Sequence, residues 1–158
     1  MCRFNGMRVC LLRSMCAVVV FLALPMGAQA QGLLLNDIKA QNGVQLSADD
    51  LKQLMPNAKV VSYYREGGMS TRRWTNEPDG KFVASSDIGR DIGLKMRGTA
   101  TAQGTWHVGD NGTYCVTIDW RQRSENWCRY IFKVGEKYYG VRTVNDGATV
   151  AHEFEFSK

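Results

Sequence analysis

From Lys59 to Lys158 the chain is a succession of short runs rich in valine, threonine, isoleucine and aromatic residues, cut at close intervals by glycine, asparagine and aspartate. Each run is too short for a helix with a continuous apolar stripe, and each interruption supplies the backbone freedom of a tight turn. Strands are expected over 60–64, 71–75, 81–85, 99–108, 113–120, 127–134, 138–144 and 149–156, with a loop over 87–93 and a connection over 121–126. Asp79-Gly80, Asn111-Gly112, Gly135-Glu136-Lys137 and Asn145-Asp146-Gly147 mark the turns. The pattern predicts a mainly β fold: a single antiparallel curved sheet or small barrel of about eight strands, with one short N-terminal helix. Barrel closure removes exposed edges and leaves an apolar interior as a place for a ligand.

The helix is signalled over 47–55. Ser47 is placed to cap the first turn, Asp50 reaches back as in a capping box, and Leu51, Leu54 and Met55 share one face before Pro56 and Asn57 stop the run. Its expected role is to plug one end of the sheet or cover one side. Ahead of it, 31–45 carries only Leu33, Leu34, Leu35 and Ile38 as core formers and reads as a flexible lead-in to the β-rich domain over 46–158. Alternation puts Tyr114, Val116, Ile118 and Trp120 on one side of their strand, with Cys115, Thr117 and Asp119 on the other. Cys128, Tyr130, Phe132 and Val134 form the apolar side of the next strand.

The first thirty residues have the parts of a cleavable signal peptide: Arg3, Arg8 and Arg13, an apolar run from Met15 to Met26, helix breakers Pro25 and Gly27, and Ala28-Gln29-Ala30 for cleavage. The run falls short of the roughly 18 apolar residues that cross a bilayer, so no stable membrane anchor is expected after cleavage. The mature chain is expected to begin near Gln31, in the periplasm or outside the cell. Three of the twenty basic residues and none of the fifteen acidic ones leave with the leader, so the net charge falls from +5 to +2. That weak charge gives little support for nucleic-acid or anionic-membrane binding. Cys2, Cys10 and Cys16 leave as well, and Cys115 and Cys128 remain. An even pair in an exported protein reads as a disulfide; a redox pair usually shows Cys-x-x-Cys spacing and a thiol zinc site usually recruits four ligands. The bridge closes a loop of about fourteen residues, worth roughly 3 kcal/mol by chain entropy. Direct pairing of the two cysteines puts Thr117 and Asp119 on the face of Tyr130 and Phe132, which predicts a bulge or a nonadjacent bridge.

No nucleophile motif, nucleotide loop, metal cluster or cofactor signature is present, so no cofactor, metal or catalytic residue is assigned. His152 alternates with Val150 and Phe154 and reads as an inward residue; His107 lies near a strand end. Asp119 and Glu125 offer an acid pair, though carboxylates beside a hairpin turn are usually solvated. The candidate binding surface is Trp120, Arg121, Arg123, Trp127 and Arg129, with Arg72, Arg73 and Trp74 as a smaller second cluster. Tryptophan and arginine together stack on sugar rings or planar anions and supply forked donors. Against this stands the plainer arrangement in which the tryptophans fill the core and the arginines solvate a hairpin end.

Gly104-Thr105-Trp106-His107-Val108, Gly112-Thr113-Tyr114-Cys115-Val116 and Trp127-Cys128-Arg129-Tyr130 carry a resemblance. In these segments the chain resembles an uncharacterised family of exported proteobacterial proteins, domain of unknown function 995, from the helix at Ser47 and a short lead-in to the end of the chain. The resemblance implies a periplasmic or secreted domain and carries no activity. The expected function is a noncatalytic binding module for a small amphipathic ligand or an envelope glycan. The alternative is a protein-interaction or inhibitor domain that meets an envelope protein through the Trp/Arg hairpin end; an enzyme stands third.

Overall fold

The structure, a computed structural model, describes residues 32–64, 70–87 and 99–158. The leader and the loop over 88–93 lie outside the described residues. In chain order the elements are α1 (Leu35–Ala40), β1 (Val44–Gln45), α2 (Ala48–Leu54), β2 (Lys59–Tyr64), β3 (Ser70–Thr75), β4 (Lys81–Asp87), β5 (Thr99–Val108), β6 (Tyr114–Trp120), β7 (Arg123–Val134), β8 (Lys137–Val141) and β9 (His152–Ser157). Each of β2 to β7 pairs antiparallel with the next, β9 pairs with β2 and β8 with β9, and β8 returns to β7. The result is a closed antiparallel barrel of eight strands. β1 is an extra strand, set on β7 at Phe132 and Lys133 beyond the end of β6.

The local signals explain most of these elements. Gly80, at φ +82°, takes the left-handed conformation that closes the β3–β4 turn, where a side chain would be strained. Gly104 faces Phe82 across the β4–β5 pair, and a methyl group there would run into the Phe82 ring. The α2 cap forms as its residues predict: Asp50 N donates to Ser47 Oγ at 3.1 Å, and the Asp50 carboxylate accepts from Ser47 N at 2.9 Å. Ser47 Oγ also donates to the Asp50 carboxylate at 2.6 Å, and that bond, with the one from Ser47 N, holds the Asp50 carboxyl below its usual range. Leu51 and Met55, both fully buried, join the barrel core of Trp74, Phe82, Tyr114 and Ile118. Hydrogen bonds tie the stretch after α2 to the same end: Asn57 N to Asn76 O at 2.8 Å, and Lys158 Nζ to Pro56 O at 2.5 Å. α2 therefore closes one end of the barrel.

The segment 31–45 is not a flexible lead-in where it is described. Leu35 and Ile38 are fully buried, and α1 packs them against Phe132 and Val141 on the outside of the barrel. Leu35 N donates to Thr149 O at 2.9 Å and Ala151 N to Leu33 O at 2.8 Å, which ties the segment to the approach to β9.

This outer cover also corrects the expected cysteine geometry. Cys115 and Cys128 are directly opposed in the β6–β7 ladder, with Cα atoms 4.0 Å apart and the disulfide formed, without a bulge or a nonadjacent bridge. The apolar side of β7 that contains Tyr130 and Phe132 is its outer side, buried beneath α1 rather than in the barrel. Apolar alternation locates a buried face without saying which cover buries it. A second correction concerns the connection over 121–126: β7 begins at Arg123, so the turn is only Arg121 and Gln122.

Candidate ligand-binding mouth

The inward side chains change character along the barrel axis. Toward α2 they are Val60, Trp74, Phe82, Val116 and Tyr114; toward the other end Ser62 and Arg72, the next inward positions of β2 and β3, are joined by Glu125 of β7 and His152 of β9. The α2 half is filled. Trp74 stacks on Phe82 at 5.3 Å between ring centroids, and Tyr114 meets Trp127 and Phe156 edge-on at 6.0 and 6.1 Å. The side-chain amide of Asn76 sits in it, and its bonds are made within the protein. The fully buried Asn76 accepts from Trp74 Nε1 at 3.0 Å and from Tyr114 OH at 2.9 Å, and donates to Met55 O at 3.1 Å. Burial pushes the Tyr114 phenol far above its ordinary value.

The opposite end holds a cavity of about 380 Å³, within the size range of small-molecule sites. Its charged lining is four arginines, Arg72, Arg123, Arg129 and Arg142, against one carboxylate, Glu125, leaving three positive charges among the described residues before His152 is considered. Trp127 and Phe154 supply the apolar wall, their rings 5.9 Å apart. Arg72 is buried, forms an ion pair with Glu125 and lies over the Trp120 ring at 5.9 Å. Arg123 reaches the other Glu125 oxygen at 3.0 Å, and the Arg129 guanidinium lies over Trp127 at 5.9 Å.

Of the candidate surface read from the sequence, Trp120, Arg123, Trp127 and Arg129 lie on the barrel's inner side, since Trp120 pairs with Arg123 and Val116 with Trp127. Arg121 sits in the exposed turn between β6 and β7. The second cluster divides by the strand's alternation: Arg72 joins the mouth, Trp74 the filled core, and Arg73 faces out to Asp87 at 2.7 Å. The acid pair does not form. Asp119 accepts from Ser124 at 2.5 Å on the outer side, while Glu125 turns inward opposite Ile118. His152 lines the mouth; His107 is exposed on β5. Sequence reading missed Ser62 of β2, Phe154 of β9 and Arg142 in the connection after β8, which reach the mouth from segments distant along the chain; only the alternation of His152 with Phe154 hinted at one of these walls. Among the described residues no three His, Cys, Asp or Glu side chains gather where a cation could be held.

A family model described as "Protein of unknown function (DUF995)" matches residues 32–128, well over half of the chain. The chain belongs to this family. The match begins ahead of α1, earlier than the helix at Ser47, and stops at Cys128, short of the chain's end. Arg72, Arg123, Glu125 and Trp127 thus fall within the DUF995 match, whereas Arg129, Arg142 and His152 come from the strands and connection beyond it that complete the barrel. No curated protein and no solved structure matches the chain.

Proposed function

We propose that this DUF995 protein is a noncatalytic binding module of the cell envelope that holds a small amphipathic anion in the mouth of its barrel. The observation that carries the reading is the lining of that cavity: four guanidiniums against one carboxylate, beside the aromatic wall of Trp127 and Phe154. Guanidiniums receive a carboxylate, phosphate or sulfate group through forked donors, while an aromatic face takes the apolar or sugar-ring body of the same molecule. The filled α2 half leaves no role for a deep apolar ligand chamber, so the ligand is small and its charged group is the main handle. Trp120 and Trp127, which a protein-interaction surface would need outside, are partly buried in the core, and the cavity reading is preferred for that reason.

The envelope address rests on the leader and on the Cys115–Cys128 bridge, a bond that persists in oxidising compartments. Intact-mass analysis of the exported protein checks it: a chain starting at Gln31 and lighter by two hydrogens than its reduced form agrees, and a retained leader or free thiols refutes it.

Calorimetric titration tests the binding. Phenyl phosphate is expected to bind with a Kd below about 1 mM and more weakly as salt is raised, whereas neutral benzyl alcohol gives no comparable heat. Replacing Arg129 and Arg142 together by glutamine is expected to weaken binding by on the order of tenfold or more. Equal binding of the neutral compound, or an affinity untouched by the double substitution, sinks the proposal.

A further inference from the structure

Arg72, Arg123 and Arg129 stand within strands β3 and β7, whereas Arg142 is exposed and comes just after β8 ends at Val141, on the irregular connection that leads to β9. Three backbone hydrogen bonds tie this connection to the start of α1 and the residues ahead of it. Leu35 N donates to Thr149 O at 2.9 Å, Asn36 N to Gly147 O at 2.9 Å, and Ala151 N to Leu33 O at 2.8 Å. Gly147 lies so close to Asn36 that a Cβ at Gly147 would overlap the Asn36 side chain. Apolar packing acts at the same places: Val141 and Val144, on either side of Arg142, and Ala151, next to His152, belong to the cluster built on Leu35 and Ile38. An arginine on irregular backbone serves an anion only in the fraction of molecules that hold its backbone in place, and the apparent affinity falls by that fraction. Ordering left to be done at the moment of binding weakens it in the same way.

We infer that segment 33–38 is a strap that sets the anion affinity of the mouth from outside the barrel, with Leu35 as a positioning residue that acts through the 142–151 connection on Arg142. The inference rests on the reading of the mouth as an anion site. Leu35 is buried on the outside of the barrel and does not line the cavity, so its effect on a ligand has to pass through the backbone it holds. The coupling is reciprocal: whatever loosens α1 weakens the ligand, and a ligand that engages Arg142 tightens α1 against the connection. The loss from undoing the strap is bounded, because it cannot exceed the loss from removing the Arg142 guanidinium itself.

The test is a double-mutant cycle read by calorimetric titration with phenyl phosphate at low salt. Arg142→Gln is expected to weaken binding about fivefold and Leu35→Ala about threefold, and the two together no more than Arg142→Gln alone, since a strap that acts through Arg142 then has nothing left to position. In a second cycle with Arg123→Gln, whose arginine stands in β7, the loss from Leu35→Ala is expected to persist at about its full threefold. If Leu35→Ala leaves the affinity unchanged, or if its loss persists beside Arg142→Gln or vanishes beside Arg123→Gln, the strap is wrong and the anion site stands. If phenyl phosphate does not bind the wild type, the anion site itself is wrong and the inference goes with it. Leu33→Ala, which trims a half-buried side chain of the same segment, serves where Leu35→Ala does not fold. Its expected loss is about twofold and is again absent beside Arg142→Gln; a loss of the same size with and without Arg142 overturns the inference.

Discussion

The two ends of the barrel are built from the same strands and differ in what faces inward. At the α2 end, Trp74, Phe82, Tyr114 and Ile118 are packed against Leu51 and Met55, and the one amide among them, Asn76, has partners for its oxygen and its nitrogen. At the mouth the same alternation delivers Arg72, Glu125 and Arg129 into a water-accessible cavity. Burying apolar area stabilises a fold by about 25 cal/mol per Å², whereas gathering like charges at one end opposes it. The contrast teaches a division of labour: the closed end holds the fold, and the mouth carries an arrangement that stability alone does not call for. The Arg72–Glu125 pair fits this division, because a withdrawn ion pair often contributes less to stability than apolar residues of the same size.

If that division is right, the largest effect on stability belongs to the closed end. Asn76→Ala leaves the buried Tyr114 O–H without its acceptor and takes one of two partners from the Met55 carbonyl and from the Trp74 indole, so it is expected to lower unfolding free energy by about 2 kcal/mol or more, with phenyl phosphate binding by the folded protein unchanged. A loss under about 1 kcal/mol in urea unfolding would deny the closed end its role.

An intermediate effect is set by pH. Because burial raises the Tyr114 phenol, folded and unfolded chains both keep its proton below about pH 10, and it adds no pH dependence there. Above that pH the unfolded chain ionises first, binds fewer protons than the folded one, and stability falls by up to about 1.4 kcal/mol per pH unit until the folded phenol also titrates. Tyr114→Phe is expected to remove this alkaline slope; an unchanged slope in thermal melts between about pH 10 and 11 would contradict it.

The smallest effect on stability is at the mouth. Arg142→Gln, which removes an exposed cation, is expected to shift unfolding free energy by less than about 0.5 kcal/mol while weakening anion binding. A large loss of stability there would make the mouth part of the scaffold.

What the sequence reveals follows the same contrast. The Ser47–Asp50 cap, the hairpin turns and the inward row Tyr114, Val116, Ile118, Trp120 are legible, because capping, turn chemistry and alternation act over a few residues. α1 is illegible: six residues make too short a helix to show a periodicity, and it is held by Phe132 and Val141 from far along the chain. The start of β7 is hidden for a related reason. Arg123, Glu125 and their polar neighbours read as a loop when inward positions are presumed apolar, and at the mouth they are not. The cavity could be read only in part, since Arg72, Arg129 and Arg142 meet through barrel closure, a pairing of distant strands that no local pattern encodes.

The four tryptophans divide between the two ends and give the most direct test. Trp74 and Trp106 donate their indole N–H groups to Asn76 and Glu77 at the closed end, while Trp120 and Trp127 lie beside the arginines of the mouth. In nitrogen–proton correlation spectra recorded through a phenyl phosphate titration, the indole signals of Trp120 and Trp127 are expected to move and saturate while those of Trp74 and Trp106 stay in place. Movement confined to Trp74 and Trp106, or no movement of any indole at saturating ligand, would contradict a binding site at the mouth.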